Sequence, residues 1–89
     1  MNAEQKEQLS LSLLRFLESN QTRFGLPTQL LLQMARNEGR PDLVKGELEA
    51  QLQYLAGKSL VEEALKGVHP ENRCWRITSE GVDFVACRS

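Results

Sequence analysis

This chain of 89 residues is poor in the side chains that most often carry redox, metal or stacking chemistry. It has two cysteines, one histidine, one tryptophan, one tyrosine and three phenylalanines. Cys74 and Cys87 cannot build a disulfide framework, and as free thiols they fit a reducing compartment. They lie thirteen residues apart, form no C-x-x-C and have no paired histidine, so neither a metal site nor a thiol–imidazole nucleophile is expected. His69 stands alone beside Pro70, and a hydrolytic triad needs more than one such group meeting in space. Phosphate-cradling loops of the G-x-x-x-x-G-K-S/T or G-x-G-x-x-G type are missing, so nucleotide hydrolysis is not indicated. The expectation is a protein that is not an enzyme and uses no cofactor.

Other shortages narrow the class further. No apolar run approaches the roughly 20 residues needed to cross a bilayer. The opening MNAEQKEQLSLS has no basic stretch followed by an apolar one, so a cytoplasmic address is expected and no membrane partner. Neither sign of charge dominates: eleven basic residues stand against twelve acidic, a formal net charge of −1. Bulk electrostatics therefore do not draw the chain to nucleic acid. Only three prolines and six glycines, with 40% hydrophobic residues, exclude a disordered tail or a collagen-like repeat. One core, and so one domain over residues 1–89, is what this length allows.

What is present is helical periodicity followed by a change of period. In AEQKEQLSLSLLRFLESN, Leu9, Leu13, Phe16 and Leu17 recur at i, i+4, i+7 and i+8. The spacing predicts a helix over about 3–19 within an N-terminal segment 1–20, with Asn20 as C-cap. Leu14 falls at the edge of that stripe and Leu11 beyond it. Gly25 and Pro27 punctuate a loop, after which TQLLLQMARNEG predicts a largely buried second helix stopped by Gly39. GRPD reads as a tight turn in which Asp42 can cap a third helix. Leu48, Leu52 and Leu55 form that helix's inward stripe, Val44 continues it backwards, and Gly57 is placed to end it in a left-handed conformation. Beyond Gly57 come SLVEEAL, a turn-rich KGVHPEN and an alternating RCWRIT, which together predict a β-hairpin over 60–77. Trp75 and Ile77 share its inner face. Thr78 caps a short last helix over 78–87. The predicted core joins Leu31, Leu48, Leu52, Leu55, Trp75 and Ile77.

Three stretches make the chain resemble the winged helix-turn-helix family, in an ArsR-like topology found among small bacterial and prophage-borne regulators. They are the closely joined pair LLLQMARNEGRPDLVKGELEAQLQYL, the passage YLAGKSLVEE and the wing exit CWRITSEGVDFV. The second is similar to the family's L-x-x-L-x-x-K-G-L-V/I, with Ser59 where that pattern has glycine. The resemblance covers residues 28–86. It implies a mainly α fold with three helices, a two-stranded wing and a short C-terminal helix, the helix-turn-helix occupying 28–58.

The resemblance also implies a mode of action, with the third helix in the major groove of double-stranded DNA and the wing on the backbone. Carried onto this chain, base-reading candidates are Lys45, Glu49, Gln53 and Gln51, with Gly46 and Ala50 permitting close approach. Arg36 and Arg40 would offer a basic edge beside the third helix. Lys66, His69, Arg73 and Arg76 would supply the wing contacts. Leu11 and Leu14 would extend an apolar surface into a homodimer contact, a common use of flanking helices in this family.

The charge map supports a competing reading. Residues 42–65 hold two basic and five acidic side chains, an unusual excess for a segment meant to face a polyanion. The same fold could be a protein–protein interaction module. An acidic or apolar face on the third helix would favour that module, and a basic one would favour DNA.

Overall fold

The computed structural model describes residues 2–20, 25–64 and 74–88. Helix α1 spans Ala3–Ser19, and short strand β1 spans Leu26–Pro27. Helices α2 (Thr28–Asn37) and α3 (Lys45–Gly57) follow, then strands β2 (Val61–Glu63) and β3 (Cys74–Ile77), and helix α4 (Ser79–Arg88).

The ends of α1 follow from its sequence. Asn2 accepts the backbone N–H of Gln5 at 2.8 Å, and the Gln5 side chain accepts the Asn2 N–H at 3.2 Å, a reciprocal capping box. At the other end the Asn20 amide donates to the Phe16 carbonyl at 2.9 Å.

The sheet has three antiparallel strands in the order β1-β3-β2, where a two-stranded hairpin was expected. Leu26 lies opposite Trp75 and Pro27 opposite Cys74, while Val61, Glu62 and Glu63 face Ile77, Arg76 and Trp75. β1 is two residues long and half proline, so it carries no alternation that a sequence pattern could register. Proline is tolerated there because β1 is an edge strand, where a missing N–H leaves no central ladder broken.

The buried cluster joins every element. Leu9, Leu13, Leu14 and Leu17 come from α1; Leu31, Leu32 and Ala35 from α2; Leu48, Leu52 and Leu55 from α3. Leu26, Leu43, Leu60, Val61, Trp75 and Val85 complete it, with Ile77, Phe16 and Phe84 packed half-buried against it. Of the predicted core residues, five are buried and Ile77 is half-buried. Burying the indole requires a partner for its N–H. Trp75 Nε1 donates to Thr28 Oγ1 at 2.9 Å, which ties β3 to the first residue of α2.

Two helix ends differ from the expected ones. α3 begins at Lys45 with Val44 as N-cap and no side-chain cap, so Asp42 does not cap it. The chain is extended at Val44, so helical spacing cannot be continued back through it. Val44 is exposed, and Leu43 is buried in its place. At the other end Gly57 is the last helical residue, and it is Ser59 that takes the left-handed conformation, with φ 63°. The Leu60 N–H reaches the Leu55 carbonyl and the Ser59 N–H reaches the Ala56 carbonyl, each at 3.0 Å. These are the two bonds of a Schellman ending, with Leu55 and Leu60 both buried beside it.

A paired stability result follows. Ser59→Gly relieves an L-residue of a left-handed backbone that costs about 1–2 kcal/mol. Gly's larger unfolded-state entropy takes back about 0.4–1, so a net gain of about 0.5–1 kcal/mol is expected. Gly57→Ala should add about 0.5 kcal/mol, because Gly57 is helical and nothing lies within 4 Å of an added Cβ. Urea melts of the two variants check the assignment. A loss from Gly57→Ala would return the left-handed role to that glycine.

Candidate nucleic-acid interface

Helix α2 stops because Gly39 turns the chain with φ 129°, a conformation that side chains rarely adopt. The Arg40 N–H then closes onto the Ala35 carbonyl at 3.3 Å and the Gly39 N–H onto the Arg36 carbonyl at 3.4 Å. From there to α3 the connection is held by side chains. Arg36 Nε donates to the Leu43 carbonyl at 2.9 Å. Glu38 accepts from Ser12 Oγ of α1 at 2.6 Å and from Arg40 at 3.3 Å. Arg36 and Arg40 were expected to make a basic edge beside α3. In the structure Arg36 braces the turn with its Nε–H, and Arg40 is ion-paired to Glu38.

At about 100° per residue, the positions of α3 pointing straight away from buried Leu48, Leu52 and Leu55 are Gly46, Ala50, Gln53 and Gly57. All four are exposed. Three of them are small, so the backbone of α3 can be approached closely along its outer face, with Gln53 as the one long polar side chain there. Glu49 borders this stripe on one side, and Lys45 lies a turn back and further round towards the buried face, with Nζ and Oε1 3.9 Å apart at i and i+4. Tyr54, 54% exposed, borders the other, with the Lys58 ammonium 4.9 Å from its ring centre. Lys45, Glu49 and Gln53 are thus brought together.

Gln51 is not part of that face. It is buried, and its Nε2 donates to Ser10 Oγ of α1, which in turn donates to the Lys6 carbonyl at 2.9 Å. A buried amide left unpaired would be costly, and this relay satisfies it while pinning α3 to α1.

Arg76 is exposed on the face of β3 opposite Trp75. Its Nε donates to Glu62 Oε1 at 2.6 Å, across the register that places the two residues opposite one another. Lys66, His69 and Arg73 lie outside the described residues. On α1, Leu14 is fully buried in the core, so it offers no surface to a second chain. Leu11 keeps part of its surface exposed.

A feature that sequence reading missed is a groove of about 780 Å³ between α1, α3 and α4. Ala3, Ala50, Tyr54, Leu55, Leu60 and Phe84 give it an apolar lining, and Lys6, Glu7, Glu47 and Lys58 also line it. Tyr54 lay off the inward stripe of its own helix, and nothing in the pattern of one helix reveals the two others that complete the groove.

Among the described residues, no group of three or more His, Cys, Asp or Glu is arranged to hold a metal ion. No helix among them is long and apolar enough to cross a membrane. The chain matches no family model, no curated protein and no solved structure with which it was compared.

Proposed function

We propose that this is a small winged-helix DNA-binding protein acting in transcription regulation, with α3 in the major groove and the β2–β3 hairpin on the backbone. The observation that carries the reading is the outer face of α3. A helix set on a braced turn against α2 presents small residues and one amide outward, with a cation and a carboxylate beside them. Such a face can approach base edges, while its buried side supplies a rigid mount.

Affinity on this reading comes from few phosphates. Arg40 and Arg76, with Lys66 and Arg73 of the segment between the strands, make about four contacts per chain. Binding to random-sequence duplex, followed by fluorescence anisotropy, should then fall with a log–log salt slope of roughly −4, at ~0.9 per phosphate. Arg76→Ala should weaken all sequences alike and flatten the slope by about one unit.

The second reading, a protein–protein interaction module, is favoured by two specific observations. Arg40 and Arg76 already sit on carboxylates of this chain, and an apolar groove runs beside the same α3. No duplex binding at ~50 mM salt would decide for it, because a binder with several phosphate contacts gains most where counterion release is strongest.

A further inference from the structure

Resting on the DNA reading, we infer that Lys45 and Glu49 act together as a donor–acceptor unit that reads a C·G base pair, with Gln53 reading an adenine further along the groove. A glutamate aimed at DNA is the most awkward feature of α3. Its carboxylate repels phosphates and has one good use in the major groove, accepting from the cytosine N4 amino group. The guanine paired to that cytosine presents acceptors, O6 and N7, beside the same amino group. The edge of a C·G pair is therefore a donor next to acceptors. Its complement is a carboxylate next to a cation, which is what i and i+4 place on this flank.

The spacing sets this pair apart from those of Arg40 and Arg76. Arg76 and Arg40 hydrogen-bond their carboxylates at 2.6 and 3.3 Å. Lys45 Nζ and Glu49 Oε1 stand 3.9 Å apart, close enough to neutralise each other and too far for either to consume the other's hydrogen-bonding capacity. Their side chains are 48% and 35% exposed. On the outer stripe itself, open space above Gly46 lets a base edge come near. Lys45 also lowers the electrostatic penalty of bringing Glu49 to a polyanion.

Gln53 lies four residues beyond Glu49, about 6 Å along the helix axis. That is less than two base-pair steps of ~3.4 Å. An amide pairs bidentately with adenine N6 and N7. The recognised element is thus a C·G pair with an A·T pair one or two steps away.

Selection of bound duplexes from a randomised pool by the full chain tests this directly. The wild type should enrich that element. Glu49→Gln should move the first position from C·G to A·T, since an amide replaces the carboxylate. Lys45→Met should relax the same position, and Gln53→Ala should relax only the second. Each change should alter discrimination at its own position by roughly 10-fold or more. Lys45 and Gln53 are exposed and Glu49 is partly so, and unchanged circular dichroism would certify the fold. If the pool is bound but Glu49→Gln leaves the enriched sequence unchanged, the inference fails while DNA binding stands. Enrichment of sites lacking the C·G pair overturns it equally. No duplex bound by any variant overturns both the inference and the reading beneath it.

Discussion

Leu14→Ala should lower the unfolding free energy by about 2–5 kcal/mol, the usual range for emptying a buried leucine site. For a domain of this size that corresponds to a fall in melting temperature of roughly 10–30 °C. The reason is position. Leu14 is fully inaccessible and belongs to the same cluster as Leu9, Leu13 and Leu17. Its methyl groups are enclosed, so truncation leaves a cavity as well as removing buried area. Leu11, one turn earlier and partly exposed, should give a much smaller change, nearer the ~0.5 kcal/mol of ordinary surface sites. Chemical denaturation of both variants beside sedimentation of each tests this. A loss under ~0.5 kcal/mol from Leu14→Ala, with a shift towards monomer, would show that this leucine faces a second chain.

Leu14 illustrates why some of the structure was legible and some was not. Periodicity ranks the faces of a helix, but the width of the buried stripe depends on how many elements surround it. α1 packs against α2, α3, α4 and β3, so its buried arc extends past the i, i+4, i+7 line to include Leu14 and Ser10. The same packing turned Gln51 inward, where its amide found Ser10 and served α1 instead of a base. Elements with a strong local signature, by contrast, stood where their residues put them. The limits of α1 rest on caps made by near neighbours in sequence, Asn2 with Gln5 and Asn20 with Phe16, and the Trp75–Ile77 alternation follows from the two-residue period of a strand.

The candidate site divides along the same line. Lys45, Glu49 and Gln53 share a face because helical geometry alone places i, i+4 and i+8 together. The fates of Arg36 and Arg76 depended on groups off their own helix or strand, the Leu43 carbonyl and Glu62 fourteen residues away, while Arg40 pairs with Glu38 two residues before it across the Gly39 turn. A count of basic residues cannot show which of them already have partners. A three-helix groove is likewise invisible to any reading that takes one helix at a time.

Gly81→Ala should be as damaging as any core truncation, although it adds only one methyl group. A Cβ on Gly81 would be driven into the Leu60 carbonyl oxygen and would lie 2.6 Å from Ile77 Cγ1. The first obstacle is backbone, and it cannot swing aside, because the Leu60 carbonyl accepts the Thr78 N–H at 3.1 Å while the Leu60 N–H closes the end of α3. Thr78 completes the joint. Its hydroxyl donates to the Ser59 carbonyl at 2.6 Å and accepts the Gly81 N–H at 3.0 Å, so one side chain caps α4 and fastens it to the turn leaving α3. The spacing of threonine, two residues and glycine in ITSEG is thus a packing requirement, with the hydroxyl holding two elements and the absent side chain letting them touch. Forcing α4 away would open the contacts of Val85 with the core. Overpacking typically costs 1–3 kcal/mol and more where backbone must move, so a loss of about 3 kcal/mol is expected. Thr78→Ala, which removes the cap and leaves the close approach intact, should cost about 1 kcal/mol. Thermal melts of the two variants separate the contributions. If Gly81→Ala were no worse than Thr78→Ala, α4 would not sit as tightly on the α3–β2 turn as this structure places it.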